Sequence, residues 1–234
     1  MNRGLYSAIS AMRGSERSIQ FAAHNLANLS TPAYKRTRNV SEEFIALTDH
    51  GTARTRGTVG SVDFSQGPID ETGDPFQLAL EGDGFFAFES PTGEVLSRYG
   101  QMSLTEDGEF TSSEGLPVAW ERRGGRIDPF GGELTVREDG VVFQAGDEIG
   151  TLRLVDYPDR SVLEPLSAGY FRAPAGAEEI NATAKVHQGA LERANLSGIE
   201  QLVEMVAQQR AYDVASRSVS LITSSYERLL QAQR

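Results

Sequence analysis

The first thirty residues place apolar side chains at alternating steps of four and three. Charged residues such as Arg13 and Arg17 fall between these positions. The positions on this spacing are Leu5, Ile9, Met12, Glu16, Ile19, Ala23 and Leu26, and all except Glu16 are apolar. This spacing is typical of a coiled-coil seam, so it predicts a long amphipathic helix over residues 1–30 that needs a partner helix.

The other end of the chain also has helical spacing. Ser197 and Glu200 form an S-x-x-E capping box, and no Gly or Pro interrupts the segment after it. The apolar positions of this segment are Leu202, Met205, Val206, Tyr212, Val219, Ile222, Tyr226, Leu229 and Leu230. We predict that a helix in residues 190–234 pairs with the first as a coiled-coil-like domain, with the polar Gln209 and Ser216 fixing the register.

Residues 76–156 change to short alternating runs separated by turns. Asp107-Gly108 and Asp139-Gly140 each lie between two such runs, and Asp-Gly in that context is a strong hairpin signal. We therefore predict a central antiparallel all-β module. Residues 31–75 are predicted to be an extended connector, and the proline-containing residues 157–189 a returning one. The expected fold class is α+β.

Charge follows the same division. The 234-residue chain has a net charge of −11, yet residues 41–189 hold 11 basic and 27 acidic residues, a net of −16, whereas residues 1–40 have a net of +5. An acidic chain without clustered cations is a poor match for phosphate, so we expect no nucleic-acid partner. No apolar run approaches the roughly 18 residues of a membrane span, so we expect no membrane insertion.

Candidate chemistry is sparse. The absence of cysteine excludes disulfides and thiolate sites, and the three histidines lack ligand spacing. Gly82-Asp83-Gly84 resembles the start of a dinucleotide fingerprint, but Phe85 and Phe86 continue it as a strand instead of a helix. Paired turn acids are better explained as solvated side chains than as a glycosidase site. We predict no catalytic, cofactor or metal site, no small-molecule substrate and no enzymatic activity.

The stretch NLANLSTPAYKR, residues 25–36, ends the first helix abruptly. Asn25 and Asn28 are poor residues for a helix interior, and Pro32 disfavours helix at the residue before it, so the helix should end near Leu29. A C-cap needs one such residue. The several amides, together with the Tyr34-Lys35-Arg36 that follows, remain unexplained by an ordinary cap.

Three stretches resemble signatures of the flagellar rod and hook family. Its N-terminal motif A-N-N-L-A-N-x-x-T-x-G-[YF]-K is similar to residues 23–35, AHNLANLSTPAYK, with His24 and Ala33 as departures. Residues 188–195, QGALERAN, and the stretch from Leu202, LVEMVAQQRAY, resemble the C-terminal signatures, and the central GDGFF resembles the family's β module. Gly is usual where Ala33 stands, and Gly tolerates a left-handed backbone that Ala does not.

The resemblance implies a structural axial subunit of the bacterial flagellar basal-body rod. The terminal helices would lie in an inner tube, with the β module outside, and would polymerise with copies of the chain and other rod subunits to transmit torque across the periplasm. It further implies export by the flagellar type III apparatus without a cleavable signal peptide.

Three alternatives stay open beside this interpretation. The opening MNRGLYSAIS and the short chain resemble proximal rod subunits, which we prefer, whereas QRAY resembles distal ones. A soluble carbohydrate- or protein-binding β module with a helical hairpin of its own is an alternative from another class. A hydrolase that uses central carboxylates is a third.

The stripes and the resemblance together predict the residues that make contacts between subunits. The amides of residues 25–36 would bond the exposed backbone of a neighbouring chain, and Tyr34 would pack on that chain. The predicted assembly residues are Leu5, Ile9, Met12, Ile19, Asn25, Leu26, Asn28, Thr31, Tyr34, Lys35, Leu202, Met205, Gln209, Arg210, Tyr212, Val219, Ile222 and Leu229.

Overall fold

The chain folds into two compact units, each built from segments that are distant in sequence. The computed structural model describes residues 2–48 and 51–232, and their side chains except at 2, 3, 41–59, 168, 229, 230 and 232. One unit, the helical unit, comprises Met1–Leu29, Arg36–Asp63 and Leu196–Arg234. The other, the β unit, comprises Ser30–Lys35 and Phe64–Asn195.

The helical unit contains two long helices and a hairpin. Its elements are α1 (Asn2–Ala27), β1 (Thr37–Thr48), β2 (Gly51–Val62) and α2 (Gly198–Ala232). The helices run antiparallel, because Gly4 at the start of α1 lies beside Ile222 whereas Asn25 near its end bonds Gln201. Both helices were predicted, but the coiled-coil geometry of their pairing remains a prediction.

Burial on α1 falls on a different face from the predicted seam. Ser15 and Ala22 are buried, whereas Ile9, Glu16 and Ala23 of the seam are exposed. The hairpin contacts α1 at Gly14, Ser18 and Phe21, beside the buried positions. Small side chains leave room for a neighbouring backbone to approach, and a hydrophobicity pattern does not register that property.

Contacts between α1 and the hairpin are close. The side chain of Asn39 on β1 donates to Ser18 Oγ at 2.9 Å and to Gly14 O at 3.4 Å. A Cβ placed on Gly60 of β2 would lie 2.9 Å from the ring of Phe21. The segment 31–75, predicted as an extended connector, therefore holds a strand pair. Its strands are rich in Thr, Arg and Gly and lack the alternating apolar face by which a strand is recognised.

The β unit consists of short strands. They are β3 (Ile69–Glu71), β4 (Leu78–Glu81), β5 (Phe85–Ser90), β6 (Gly93–Ser97), β7 (Met102–Leu104), β8 (Phe110–Ser112), β9 (Trp120–Arg123), β10 (Leu134–Val136), β11 (Val141–Gln144), β12 (Asp147–Leu152), β13 (Leu154–Asp156), β14 (Glu164–Pro165), β15 (Tyr170–Arg172), β16 (Ile180–Asn181), β17 (Lys185–Gln188) and β18 (Ala190–Glu192).

Antiparallel pairing joins these strands into several sheets. The larger ones have the orders β14-β15-β6-β5-β13-β16 and β10-β11-β12-β9, and β17-β4, β18-β3 and β7-β8 form two-stranded pairs. The α+β class and the antiparallel module are thus as predicted. The largest fully buried side chains of the core include Leu78, Leu80, Phe85, Phe86, Phe88, Leu96, Phe110 and Leu152.

The β unit extends beyond the predicted limits of 76–156. It includes β3 before them and β14 to β18 after them, inside the predicted returning connector 157–189. These additional strands have two to four residues each. Alternation is read over about four to eight residues, so strands this short carry little or no readable pattern.

Neither helix combines the length and the apolarity that a membrane span requires, within residues 2–48 and 51–232.

Candidate functional site

Asn25 joins the end of α1 to β1 and α2. Its Nδ2 donates to Thr37 O at 2.8 Å and to Gln201 Oε1 at 2.9 Å, and its Oδ1 accepts from Thr37 N at 3.0 Å. Asn25 is 2% exposed and Gln201 fully buried. Only an amide both donates and accepts in this way, which explains Asn at this helix end. Asn25, predicted as a contact between subunits, bonds within its own chain here.

Asn28 has a local role at the same helix end. Its Nδ2 donates to His24 O at 2.9 Å, and its backbone N–H donates to the same carbonyl at 3.2 Å. The last turn of a helix leaves carbonyls without intrahelical donors, and Asn28 supplies two donors to one of them. This amide therefore acts as the C-terminal cap that the sequence suggested.

Residues 31–34 form a tight turn in the β unit. Tyr34 N donates to Thr31 O at 3.3 Å, with Pro32 in the second position of the turn and Ala33, at φ 55°, in the third. Pro followed by a residue with positive φ is the arrangement of a type II turn, which favours Gly in the third position. The departure at Ala33 therefore places an alanine in a left-handed conformation. Thr31 is exposed and Tyr34 half-buried.

Lys35 and Glu192 form a buried ion pair in the β unit. Lys35 Nζ lies 2.6 Å from Glu192 Oε1, and both side chains are at most 1% exposed. Lys35 also donates to Ser65 O at 2.8 Å, and Gly67 N donates to Glu192 Oε1 at 2.8 Å. Lys35, predicted as an assembly residue, thus holds segments 30–35 and 64–67 against β18.

Arg98 completes this cluster from another direction. Its Nε donates to Glu192 Oε2 at 2.8 Å, and its terminal nitrogens donate to the carbonyls of Leu80, Gly82 and Gly84 at 2.7 to 3.0 Å. One carboxylate therefore serves two buried cations, and backbone carbonyls accept further hydrogen bonds from both. We refer to Lys35, Arg98 and Glu192 as the buried charge cluster; Arg98 had no visible signal in the sequence.

The GDGFF stretch is the turn that Arg98 holds. Gly82 and Gly84 have φ of 100° and 148°, which only Gly adopts readily, and the stretch continues as the buried strand β5. The carboxylate of Asp83 accepts from Arg160 Nη1 at 2.9 Å. This hydrogen bond holds the pKa of Asp83 below its ordinary value, with burial opposing and the charges of Arg160 and Arg98 adding to the effect.

The predicted assembly residues divide between the two sides of the helices. Leu202, Gln209 and Arg210 are exposed on α2. Those that are half-buried are Leu5, Met12, Ile19, Leu26, Met205, Tyr212, Val219 and Ile222. Ile9 is 36% exposed, and the side chain of Leu229 lies outside the described residues.

A second apolar surface on α2 was largely missed by the sequence reading. It consists of large side chains that are 48 to 77% exposed: Ile199, Leu202, Val203, Val206, Val214 and Leu221. At about 100° per residue they fall within a sector about 120° wide. Gln201 and Ala215, which are buried, lie on the opposite side of the helix. We refer to these six residues as the outer α2 face.

The signal for this surface was present in the sequence but ambiguous. Apolar residues occur on two sides of α2, so a search for a single stripe selects some from each side. Only the structure shows that Gln201 and Ala215 are buried in the chain and that Val203 and Leu221 are solvent-exposed. Pairing with one helix covers only one side of α2, so the apolar residues on its other side stay exposed.

The histidines do not assemble into a site. His187 Nε2 lies 2.7 Å from Glu81 Oε2 in an exposed pair, His24 lies on α1, and His50 lies outside the described residues. No group of three or more His, Asp or Glu side chains suited to a metal ion occurs in the part of the chain that the structure describes. The features with an evident role are therefore the exposed outer α2 face and the buried charge cluster that holds the β unit together.

Two family matches cover the middle and the end of the chain. Residues 79–144 match the flagellar hook protein FlgE/F/G D1 domain, and residues 187–232 match the flagellar basal body rod FlgEFG protein C-terminal domain. The first match spans β4 to β11 with the GDGFF turn. The second contains Glu192 and all of α2.

Similarity to curated proteins extends over nearly the whole chain. The flagellar basal-body rod protein FlgF of Caulobacter vibrioides is 29% identical over 98% of each chain. FlgF of Escherichia coli K12 is 28% identical over 99% of this chain and 98% of that protein. FlgG of Buchnera aphidicola subsp. Schizaphis graminum is 27% identical over 92% of this chain and 93% of that protein.

The family is structural, which agrees with the prediction that the chain is not an enzyme. Both family matches, the signatures at residues 23–35 and 188–212, and the similarity over almost the entire length agree with one another. Together these matches support a flagellar basal-body rod protein.

Proposed function

We propose that this protein is an axial subunit of the flagellar rod that polymerises through its helical unit and transmits torque across the periplasm. The observation that carries the proposal is the outer α2 face. Burial of one large aliphatic side chain contributes about 1.5 to 3 kcal/mol, so six such residues on one side of a helix give a strong drive toward association. In a rod the neighbouring subunits would cover this face.

The two units would have separate tasks in the polymer. The helical unit would supply the contacts that build the inner tube, with α1 and α2 paired in coiled-coil fashion. The β unit would form the outer part of the rod. Its buried charge cluster, with one carboxylate holding two cations and three chain segments, would keep this part from deforming under load. We propose copies of this chain and other rod and hook subunits as partners.

The predicted assembly residues also enter this proposal, in two groups. Leu202, Gln209 and Arg210 would contact neighbouring subunits directly, because they are exposed. The half-buried residues of α1 and α2 and the internally bonded Asn25 and Lys35 would act indirectly, by holding the helices and the 30–35 turn in the shape that neighbours recognise.

A charge on the outer α2 face tests the function. Val203→Glu and Leu221→Glu should leave the isolated protein folded but keep it out of hook–basal bodies purified from a strain that lacks the native gene, and the cells should not swim. Ala211→Glu is the control, since Ala211 is exposed on α2 outside the face. Normal incorporation and motility of both face variants would contradict the proposal.

A proximal position in the rod is the more specific proposal. It rests on the resemblance of the stretch MNRGLYSAIS to proximal rod subunits. Identity does not separate the two positions, since relatives named FlgF and FlgG match at similar identity. Replacement in turn of the FlgF and the FlgG gene of a motile host by this chain's gene tests it. Rescue of the FlgF deletion alone is expected; rescue of the FlgG deletion alone would assign a distal position.

Export by the flagellar type III apparatus without a cleavable signal completes the proposal. The tryptic peptide Gly4–Arg13 should then be recovered from purified basal bodies in the same proportion as peptides from α2. Its loss, with the α2 peptides retained, would indicate cleavage during export. Deletion of the export apparatus should leave the chain inside the cell.

A further inference from the structure

Phe130 protrudes from the β unit at the tip of the loop between β9 and β10. It is 96% exposed, more than any other large apolar side chain that the structure describes. Ile127, three residues earlier, is 2% exposed and belongs to the core. The same loop thus buries one apolar side chain and presents the other to solvent, so the exposure of Phe130 is a property of the loop's conformation.

The loop holds Phe130 on a rigid turn. Gly131 N donates to Asp128 O at 2.9 Å across the turn, and Phe130 N donates to Asp128 Oδ1 at 2.9 Å. Pro129 fixes the φ angle between them. The backbone of this turn therefore loses little further freedom when Phe130 enters a pocket, and such pre-organisation favours binding.

A buried side chain fastens the turn to the sheet. Gln144 of β11, 7% exposed, accepts from Asp128 N at 2.8 Å through Oε1 and donates to Asp128 O at 2.7 Å through Nε2. Space is tight as well, since a Cβ on Gly131 would lie 2.7 Å from Asp128 Cβ. The position of Phe130 is therefore set by the core of the β unit.

We propose that Phe130 is an anchor that inserts into the β unit of a neighbouring axial subunit in the assembled rod. This inference rests on the proposed function. One aromatic side chain buries about 150 to 250 Å², far below the roughly 800 Å² per partner of a stable interface. Phe130 cannot capture a free partner by itself. It needs a neighbour that other contacts already hold nearby, where the effective concentration is high, and a polymer built through helical units provides one.

Site-specific photo-cross-linking in cells tests the anchor. A photoreactive phenylalanine replaces Phe130 in the full chain, and basal bodies are purified after illumination. Matched probes replace Glu114, on an exposed turn of the same β unit, and Val206 on the outer α2 face. We expect an adduct to an axial subunit from position 130, at about ten times the yield from position 114.

The two proposals fail in different ways. A cross-link from position 206 without one from 130, or an adduct of 130 to a protein outside the rod and hook, would overturn the anchor and leave the proposed function standing. Absence of the chain from basal bodies, with no cross-link from either position, would overturn both.

A substitution series provides an independent readout. Phe130→Ala should leave the unfolding midpoint of the isolated protein unchanged, as reported by the single Trp120 in β9, but should raise the rate of subunit loss from purified rods about tenfold. Phe130→Tyr should keep the rate of subunit loss close to that of the wild type, since the aromatic ring is kept. Equal rates for the wild type and Phe130→Ala would overturn the anchor.

Discussion

The ammonium group of Lys35 lies 2.6 Å from the carboxylate of Glu192, although 157 residues separate them in sequence. Arg98 approaches the other oxygen of the same carboxylate at 2.8 Å. Two stretches that resemble signatures of the rod and hook family, residues 23–35 and 188–195, thus meet in one buried cluster. Lys35, predicted as an assembly residue, thus belongs to the internal frame of the β unit, and its part in assembly remains a prediction.

Glu192→Gln should destabilise the β unit by about 3 to 5 kcal/mol, because it leaves two buried cations without their anion. Urea unfolding followed by Trp120 fluorescence measures this, since Trp120 lies in the β unit. Glu148→Gln is the matched control. It breaks an exposed pair with Arg122, for which about 0 to 1 kcal/mol is expected. Similar losses for the two variants would show that the cluster contributes no more than a surface pair.

Asn25→Ala should loosen the end of α1. It removes three hydrogen bonds and leaves Thr37 N–H and O and the buried Gln201 without partners, at a cost of about 2 to 4 kcal/mol. Hydrogen exchange should accelerate in β1 and in the first turns of α2. Asn28→Ala, at a half-buried position, removes one side-chain hydrogen bond to His24 O and should cost about 0.5 to 1 kcal/mol. The reverse order would refute the role assigned to Asn25.

Ala33→Gly and Ala145→Gly should each relieve strain. Both alanines have positive φ, at 55° and 53°, where Gly is favoured over Ala by about 1 kcal/mol. The gain should be smaller at Ala33, because its buried methyl group is lost. Ala211→Gly, in the interior of α2, should instead cost about 1 kcal/mol. Thermal unfolding compares the three, and destabilisation by Ala145→Gly would contradict the left-handed assignment.

Asp83 should titrate below the ordinary pKa of an aspartate, because Arg160 donates a hydrogen bond to its charged form. A carboxyl with a lowered pKa in the folded state stabilises the fold above its ordinary pKa, and this stabilisation is lost as the pH falls through the folded value. A carboxyl NMR titration measures the pKa directly. Arg160→Gln should raise it toward the ordinary value; an unchanged pKa would mean that the hydrogen bond does not form in solution.

The sequence by itself determined the two long helices, the antiparallel central module and the family. Periodicity over ten or more residues averages out local exceptions, so α1 and α2 were visible, and Asp-Gly turns marked Gly108 and Gly140. The cap at Asn28 was likewise legible, since capping is local chemistry. The expectation of Gly at position 33 also pointed to the turn, because the third position of a type II turn favours Gly.

Only the tertiary structure decided what each polar residue bonds and which apolar residues face outward. The partners of Asn25 and Lys35 lie 12 to 176 residues away, and a hydrogen bond across such a distance leaves no periodic trace in a sequence. Nothing in the sequence marked Arg98 as a partner of Glu192, since no local pattern distinguishes a buried arginine from an exposed one. The outer α2 face emerged only when Gln201 and Ala215 proved to be the buried side, because hydrophobicity is a property of residues whereas exposure depends on what packs against them.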